Sequence, residues 1–394
     1  MPRLAHIAMV GTPLVGHALP SLAIIRELVA RGHRVTYATA APVAELIAPT
    51  GAELVGVTST LPVAARDWPQ DPIASASLFL GEAMAVLPQL HAAYDDDPAD
   101  VYLYDAGAYA GRALAEAQGR RFVQLSAAHV AWEGAHEEIG AALARLPGGL
   151  AHRARFAAWL DRCGAVTTDV VEFTGHPRRV LAMVPRAMQP HAERVDTEAV
   201  TFVGPCHGVG QEQDGWMRPA GAKKVLLVSL TGSAYQGAQE IYHQCVAAFA
   251  DLPGWHVVLQ TSSGGAPGER VPRNFEVRPW GAPLPILEHA DVWVTHTGVG
   301  SSGEGLYAGV PMIAVPNGPD QSLHADRLVE LGVARRIDGA HVTAATLRCA
   351  LMELIGDPRV AARSAWLWSE VRAEGGTRRA ADLIEDQLVG DRVG

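Results

Sequence analysis

Residues 280–321 read WGAPLPILEHADVWVTHTGVGSSGEGLYAGVPMIAVPNGPDQ, and they carry the strongest structural signal in this chain. The pattern predicts an apolar strand at 291–295 that ends at His296, then a glycine-rich turn at 298–303, a short helix and a second apolar strand at 312–315. A glycine turn between a strand and a helix directs backbone N–H groups and the positive helix end at one point. The segment therefore predicts a binding site for an anion of the nucleotide-phosphate type.

Strand-like and helix-like segments alternate on both sides of this block. Near-continuous apolar strands separated by helices are typical of a parallel sheet covered on both faces. The predicted strands are 6–10, 34–39, 53–57, 101–104, 122–125, 180–184 and 200–203 in the first half, and 224–230, 255–260, 291–295 and 312–315 in the second. The predicted helices include 20–31, 359–373 and 377–388. We expect an α/β protein of two doubly wound, Rossmann-like domains, with ligands beyond the carboxyl ends of the strands in a cleft between the domains.

A candidate linker divides the chain. Residues 206–221, CHGVGQEQDGWMRPAG, are rich in glycine and polar residues and lack apolar periodicity. We therefore expect an N-terminal domain at 1–205 and a C-terminal domain at 222–376. Cys206 and His207 have no partner residues near them in sequence, so we interpret both as structural.

Composition limits the class of protein. A chain of 394 residues can form two domains that each bury a core. Hydrophobic residues make up 48% and the net charge is −10, which argues against a nucleic-acid partner. Four scattered cysteines favour a reduced compartment without structural zinc. The apolar run at the start is too short for a signal peptide, and no segment approaches the ~20 apolar residues of a membrane span. We expect a cytoplasmic protein.

The loop after the first predicted strand, GTPLVGHALP at 11–20, carries a histidine. It is not a Walker A loop, because His17 and Ala18 stand where that motif has Lys and Ser or Thr. An imidazole at this junction suits general-base chemistry, but a histidine that merely caps the helix is the more common case, because catalytic histidines are a minority. Asp105 ends a strand at the same edge of the sheet. It would orient the histidine, or cap the helix that begins near Tyr109.

Two further motifs have alternative readings. The aspartates at 95–97 resemble a metal-binding pair, but they lie in a polar turn before Pro98, which favours a solvated turn. The glycines at 298–303 match the dinucleotide pattern GxGxxG, a weak signal on its own. His296 directly before them fits a phosphate site better than a nicotinamide site.

These motifs together resemble the UDP-glycosyltransferases of the GT-B fold, and in particular the macrolide glycosyltransferases that inactivate antibiotics by glucosylation. The resemblance covers nearly the whole chain and rests on GHALP, Asp105 and the segment 280–321. The further matches are HIAM at 6–9, RELVARGHRVTYA at 26–38, LPGWHVVLQ at 252–260 and EGGTRRAADLIE at 374–385. It implies that the final helix, 377–394, packs back on the N-terminal, acceptor-binding domain.

The resemblance implies two groups of site residues. In the catalytic group, His17 deprotonates the acceptor hydroxyl while Asp105 orients the imidazole and balances its charge. In the donor group, Trp280 stacks on uracil and backbone groups of Gly281 read its edge. The other implied donor contacts are His296, Gly298, Gly300 and Ser301 to the diphosphate, Glu304 to the ribose, and Asp320 and Gln321 to the sugar, with Ser229 bordering the donor. No metal or other cofactor is implied, because His296 and the helix start supply the positive field on the leaving UDP.

Three positions depart from the family pattern. Pro283 stands where the family commonly has Gln, and the loop 229–237, SLTGSAYQG, is one residue longer than usual. Both border the implied donor site, so the identity of the donor depends on them. Val15 stands where relatives often carry an additional histidine.

The sequence predicts an enzyme that transfers a hexose, glucose, with inversion and without metal from a UDP-sugar to a hydroxyl of a macrolide or similar hydrophobic natural product. Asp320 and Gln321 favour a hydroxyl-rich sugar, because missing hydroxyls would leave both side chains unpaired. Loops 60–80 and 126–133 are expected to form the acceptor pocket. The alternatives are an NAD(P)-dependent oxidoreductase that uses the turn 298–303, and a catalytically silent accessory protein of the same fold. A monomer or a homodimer is expected.

Overall fold

The computed structural model describes residues 4–63, 67–207, 215–230, 237–261 and 271–389, apart from the side chains of His136 and Val389. The chain forms two units. The first consists of Met1–Gly208 together with Glu374–Gly394, and the second of Val209–Ala373.

The first unit is built on a parallel sheet. Its strands are β1 His6–Val10, β2 Arg34–Thr39, β3 Glu53–Gly56, β4 Val101–Asp105, β5 Arg121–Ser126, β6 Val180–Ala182 and β7 Val200–Phe202. Over the described residues their order is β3-β2-β1-β4-β5-β6-β7, and every neighbouring pair is parallel. The order reverses between β1 and β4. Such a switch point, at the carboxyl ends of the strands, is where doubly wound sheets bind ligands.

Helices cover both faces of this sheet. They are α1 Val15–Ala30, α2 Pro72–Tyr94, α3 Tyr109–Ala117, α4 Ala135–Arg145, α5 Gly149–Arg162 and α6 Val170–Gly175. Side chains alternate along a strand, so β1 contributes Ile7 and Met9 to one apolar cluster and Ala8 and Val10 to the other. The first cluster includes residues of α1, and the second includes residues of α2, α3 and α5.

The second unit repeats this plan. Its strands are β8 Lys224–Ser229, β9 Trp255–Thr261, β10 Phe275–Pro279, β11 Val292–Thr295, β12 Met312–Ala314 and β13 Ala334–Arg336. Its helices are α7 Ala238–Phe249, α8 Leu284–Leu287, α9 Val299–Ala308, α10 Pro319–Glu330, α11 Ala344–Gly356 and α12 Pro358–Ala373. In the described part of the unit the order is β10-β9-β8-β11-β12-β13, again all parallel, and it reverses between β8 and β11.

The last helix, α13 Gly376–Val389, belongs to the first unit and packs on α1. Arg31 binds Asp382 at 2.6 Å and Glu385 at 2.7 Å, and Nε2 of His33 lies 2.9 Å from Glu385. Ile384 is fully buried in the same cluster as β1. These contacts fix the end of the chain on its first helix.

The prediction of two doubly wound α/β sheets is confirmed. Every strand expected from the sequence is present, with ends within two residues of the prediction. The sequence reading missed β10 and β13, which carry charged residues (FEVRP and ARR) and so lack an apolar run.

Three predictions of local structure were wrong. Helix α1 begins at Val15, not at Pro20, which lies inside the helix. The loop expected at 60–80 is helical from Pro72, because Asp71 accepts a hydrogen bond from the amide of Ala74 and Pro72 occupies the first turn. The turn expected at 298–303 is the first part of α9.

Both ends of the predicted linker are part of a folded unit. Cys206 is buried in the core of the first unit, and burial raises the pKa of its thiol to about 12, as befits a structural residue. Trp216 is buried in the second unit, where its indole stacks over His256 and donates to Glu276 at 3.1 Å. Residues 208–214 between them lie outside the described residues.

One helix of the described residues, α2, is long and apolar enough to cross a membrane by length and composition. The expectation that no segment approaches this limit was therefore wrong. A core helix passes the same test, and α2 packs on α3 and α5 and contributes Leu80 and Leu90 to the core.

Candidate active site

The switch point of the first sheet brings three polar side chains together. Nδ1 of His17 lies 3.1 Å from Oδ1 of Asp105, and the hydroxyl of Thr12 donates to Oδ2 of the same carboxylate at 2.5 Å. Asp105 and Thr12 are each 3% exposed, whereas the side chain of His17 is 37% exposed. A buried carboxylate thus holds an imidazole that solvent or a ligand can reach.

This contact fixes the tautomer of the histidine. An ionised carboxylate only accepts hydrogen bonds, so Nδ1 of His17 carries the hydrogen and Nε2 of the neutral ring is left as a base. Burial lowers the pKa of His17, but the hydrogen bond and the charge of Asp105 outweigh it, and the pKa is raised above its ordinary value. Neither of the capping roles considered from the sequence holds. His17 makes no cap bond on α1, and the N-cap of α3 is Ala108.

A mostly apolar cavity of about 450 Å³ lies beside the start of α1. It is lined by Pro13, Leu14 and Val15 just ahead of His17, by residues 40–42 after β2, and by residues of the segment 57–63. The predicted acceptor loop 60–80 therefore contributes its first residues to a pocket wall, while its remainder runs into α2.

Helix α2 fixes that wall from behind. The buried carboxylate of Glu82 accepts from the amide of Thr60 at 2.6 Å and from its hydroxyl at 2.7 Å. The side-chain amide of Gln89 accepts from the N–H of Thr58 at 2.8 Å through its oxygen, and donates to the carbonyl of Thr58 at 3.1 Å through its nitrogen. The cavity thus has a preformed side.

The second predicted loop, 126–133, lines a different cavity of about 900 Å³. Its lining includes many acidic and basic side chains, among them Arg178, Arg194, Glu172 and Asp196. Its chemistry suits a polar ligand better than an apolar one.

The carboxyl edge of the second sheet carries a row of polar residues. Ser229 of β8 pairs in register with Gln260 of β9 and with Thr295 of β11, so the three side chains point to the same face of the sheet. All three are buried. This row lies at the β8–β11 switch point, where a ligand is expected.

His296 follows β11 at this edge, and Gly298 makes room for its ring. The imidazole is 7% exposed. A β-carbon on Gly298 would lie 2.6 Å from Nε2 of His296, so only glycine permits this arrangement. Burial lowers the pKa of His296 to about 4, although the charge of Asp320 opposes the shift. The ring of the ligand-free protein is therefore neutral near pH 7.

The start of α9 provides the favourable field instead. Gly298 is the N-cap, and the first turn, which includes Gly300 and Ser301, contains no acidic residue. The first amides of a helix have no acceptor within the helix, and they carry the positive end of its dipole. The geometry therefore suits an anion.

Thr297, between His296 and the helix, is strained. Its φ of 58° is rare for a β-branched residue. The surrounding bonds hold it there. The hydroxyl of Thr297 donates to the carbonyl of Gln321 at 3.0 Å, and Nδ1 of His324 lies 3.1 Å from the carbonyl of Thr297. Strain that is maintained in this way is characteristic of ligand sites.

Trp280 stands at the end of β10 with 44% of its surface exposed, so its ring is accessible. Its amide donates to the carbonyl of Thr261 at 2.8 Å, which extends the pairing of β9 with β10. The side chain of Gln260 donates to the carbonyl of Gly281 at 3.4 Å, while its Oε1 is buried with no partner among the described residues. Pro283 is the N-cap of α8, a position that needs no helical N–H, so the proline is accommodated without disturbing that helix.

Glu304 lies in the second turn of α9. The residue is partly exposed, and desolvation of its carboxyl raises the pKa to about 8, so the acid is mostly protonated near pH 7. No hydrogen bond or ion pair engages it among the described residues. An acid in this state is a candidate for interaction with a ligand.

Asp320 and Gln321 begin α10. The carboxylate of Asp320 is exposed. Oε1 of Gln321 accepts from the amide of Asn317 at 2.9 Å, so that oxygen is already engaged. Of the extended loop 229–237, residues 231–236 lie outside the described residues.

Among the residues that the structure describes, no group of three or more His, Cys, Asp or Glu side chains is arranged to hold a metal ion. The aspartates at 95–97 form ion pairs in a polar turn, where Asp95 contacts His91 at 2.9 Å and Asp97 contacts Arg34 at 2.5 Å. All three aspartates are exposed in a turn, as the sequence predicted.

The geometry also shows residues that the sequence reading missed. Thr12, Gln260 and His324 were not predicted, although each contacts a predicted site residue or its neighbour. Thr12 lies just after β1, and Asp105 ends the neighbouring strand β4. The strand order would therefore have indicated that the two side chains are close.

Comparison with known proteins is consistent with this arrangement. The family model described as UDP-glucoronosyl and UDP-glucosyl transferase matches residues 180–368. Oleandomycin glycosyltransferase of Streptomyces antibioticus is 47% identical over 98% of this chain and 91% of its own length. NDP-glycosyltransferase YjiC of Bacillus licheniformis is 33% identical, covering 96% of this chain and 97% of its own.

Solved structures share the fold. The glycotransferase of kitacinnamycin superposes with a TM-score of 0.87 at 49% identity, over 98% of this chain and 100% of that one. CalG4, the calicheamicin glycosyltransferase, gives 0.85 at 30% identity, over 98% and 99%. The two parallel-sheet domains are those of a GT-B glycosyltransferase. The chain belongs to the UDP-glycosyltransferase family.

Proposed function

We propose that the protein is an inverting, metal-independent glycosyltransferase that moves a hexose, glucose, from UDP-glucose to a hydroxyl of a macrolide or a similar hydrophobic natural product. The observation that carries the proposal is the contact of His17 with Asp105 at 3.1 Å, which leaves Nε2 of an accessible imidazole as a base. Membership of the UDP-glycosyltransferase family supports glycosyl transfer over the nicotinamide-dependent alternative.

In the proposed reaction, Nε2 of His17 removes the proton from the acceptor hydroxyl as the oxygen forms a bond to the anomeric carbon. The bond from that carbon to the phosphate oxygen breaks, and its electron pair leaves with UDP. Attack from the side opposite to the leaving group inverts the anomeric centre. Asp105 stabilises the imidazolium that forms, as a carboxylate does in other base–carboxylate pairs.

The second unit would bind the donor. Trp280 stacks on uracil beside Gly281, and Ser229 borders the nucleotide. The diphosphate is held by the N–H of a neutral His296 and by the start of α9, with Gly298, Gly300 and Ser301. Glu304 binds the ribose, and Asp320 and Gln321 bind the hexose. Charge that develops on the leaving diphosphate is stabilised by these fixed dipoles and needs no metal.

The first unit would bind the acceptor. The cavity of about 450 Å³ ahead of His17 is mostly apolar, which suits an apolar natural product. A relative named for oleandomycin and structures named for kitacinnamycin and calicheamicin support an acceptor of this class. A cytoplasmic location, a monomeric or homodimeric state and the absence of a cofactor or nucleic-acid partner stay predictions.

The test is a transfer assay with the purified chain. We expect hexose addition to at least one macrolide with UDP-glucose in the presence of EDTA, with dTDP-glucose as the competing donor and flavonoids as competing acceptors. NMR of the product reports the anomeric configuration. His17→Ala should abolish transfer while UDP binding is retained. Absence of both hexose addition and UDP release would exclude the transferase function and favour the accessory protein, whereas NAD(P)H turnover without hexose transfer would favour the oxidoreductase.

A further inference from the structure

Thr12 links the loop after β1 to the His17–Asp105 pair. Its hydroxyl donates to Oδ2 of Asp105 at 2.5 Å, and His17 engages Oδ1 at 3.1 Å. Each carboxylate oxygen therefore has its own donor, from a different side chain. A carboxylate held at both oxygens cannot rotate without losing one of these bonds.

The backbone at Thr12 is itself held in place. A β-carbon on Gly11 would lie 2.6 Å from the hydroxyl of Tyr37, so the chain passes close to that ring only because residue 11 is glycine. The amide of Gly11 donates to the carbonyl of Ala38 at 3.0 Å. The hydroxyl of Tyr37 in turn lies 3.1 Å from that of Ser21 on α1, the helix that carries His17.

We propose that Thr12 is a positioning residue for the base: its hydroxyl fixes the plane of the Asp105 carboxylate, which holds the His17 ring with Nδ1–H toward Asp105 and Nε2 toward the acceptor. The proposal rests on the proposed function, in which His17 is the base. Thr12 contacts neither substrate in this scheme and acts only through Asp105.

The hydroxyl also affects the charge on the pair. The Asp105 carboxylate accepts from both this hydroxyl and His17, so the two donors share the stabilisation of its negative charge. Without the hydroxyl, His17 is the remaining donor to the buried carboxylate, so the imidazolium is stabilised further and His17 keeps its proton to higher pH. The other titratable groups that experience the charge of Asp105 are the phenols of Tyr37 and Tyr109. Burial raises the pKa of both, to about 12 for Tyr109, so they stay neutral.

Two variants separate the hydroxyl from the shape of the side chain. Thr12→Val keeps the volume and removes the donor, whereas Thr12→Ser keeps the donor and removes a methyl group. The first readout is kcat and KM for transfer across pH. The second is the His17 ring signal in an NMR titration of protein labelled at histidine Cε1, which needs no acceptor and no activity.

We expect Thr12→Val to lower kcat by about tenfold with little change in KM, and to move the acid limb of the rate profile and the His17 titration to higher pH. Thr12→Ser should retain most of the activity and the wild-type titration. A Val variant with an unchanged titration, or a Ser variant as impaired as the Val variant, would overturn the proposal. If the wild type transfers no sugar but the His17 titration moves to higher pH in the Thr12→Val variant, the proposed function fails while the Thr12–Asp105–His17 coupling stands.

Discussion

A β-carbon on Gly298 would lie 2.6 Å from Nε2 of His296. Two residues of the predicted diphosphate site are thus mutually dependent: the histidine ring occupies the volume that any other side chain at 298 would need. Contacts shorter than van der Waals distance force one partner to move, and here the partner is a buried ring. Gly298 therefore makes room for the His296 ring, in addition to its place as the N-cap of α9.

Gly298→Ala should accordingly weaken donor binding. The methyl group displaces the ring of His296 from the start of α9, and UDP affinity is expected to fall by about tenfold or more. Isothermal titration calorimetry with UDP measures the change. Gly356→Ala is a suitable control, because its new methyl group meets no atom within 4 Å. An unchanged Kd for the Gly298 variant would show that the ring does not contact the diphosphate.

The burial of His296 predicts a pH-dependent contribution to stability. Its pKa is lowered to about 4 in the folded chain, so between that pH and its ordinary value of 6.5 the unfolded state binds more protons than the folded state. Folding stability contributed by this residue therefore falls as pH falls through this window, by about 2 kcal/mol near pH 4.5. His296→Gln should lose that dependence, so its stability relative to wild type should rise from pH 7 to pH 4.5.

Thermal unfolding of ligand-free protein across this range provides the measurement. His341→Gln, which removes an exposed imidazole, is the matched variant. A trend that is the same for both variants would reflect the loss of any imidazole, and the prediction for His296 would be wrong.

Glu304 predicts proton release on donor binding. Burial holds its pKa at about 8, so the ligand-free enzyme carries a proton there at pH 7. If the carboxylate accepts hydrogen bonds from the ribose, UDP binding must release about one proton. Calorimetry in two buffers of different ionisation enthalpy counts the protons, and Glu304→Gln should bind UDP without this release. Equal proton counts for wild type and variant would show that Glu304 binds in its protonated form.

Much of the fold was predictable because parallel sheets leave a simple signature. Buried strands such as LLV in β8 and VWV in β11 are apolar on both faces, and helices separate them. Asp105 and His17 could be placed together because Asp105 ends one strand and His17 lies in the segment after another, both at the same edge of the sheet. In the structure β1 and β4 are neighbours, and Nδ1 of His17 lies 3.1 Å from Oδ1 of Asp105.

What failed depends on three-dimensional context. Glycine at 298 and 300 reads locally as a turn, yet α9 begins at Val299, and further along this helix Gly305 lies close to the side chain of Met312. The charge of His296 could not be read from its identity, because burial sets its pKa. Thr12 has no local signal, since its role comes from a carboxylate 93 residues away.

Asp105→Asn should shift the pH profile in a defined direction. The charge of Asp105 raises the pKa of His17, and the amide lacks that charge, so His17 loses its proton at lower pH in the variant. The acid limb of kcat/KM should move to lower pH, and the maximal rate should fall by about 100-fold or more, because the imidazolium formed in the reaction is no longer stabilised. A rate profile measured on one acceptor with saturating donor tests this. A lower rate with an unmoved limb would mean that His17 does not titrate in catalysis.

Gln260 offers a test of whether an unpaired group is maintained for a ligand. Its Oε1 is buried at the carboxyl edge of β9 with no partner among the described residues, beside Ser229, and its amide nitrogen contacts the carbonyl of Gly281. An unsatisfied buried acceptor costs about 1–3 kcal/mol. A donor on the ligand, such as a ribose hydroxyl or an N–H group of the base, would recover this free energy. Gln260→Met, of similar shape, should therefore stabilise the ligand-free protein by about 1 kcal/mol and weaken UDP binding. Denaturant unfolding and UDP calorimetry on the same preparations measure both effects. A variant that is stabilised without any loss of UDP affinity would place the amide outside the donor site.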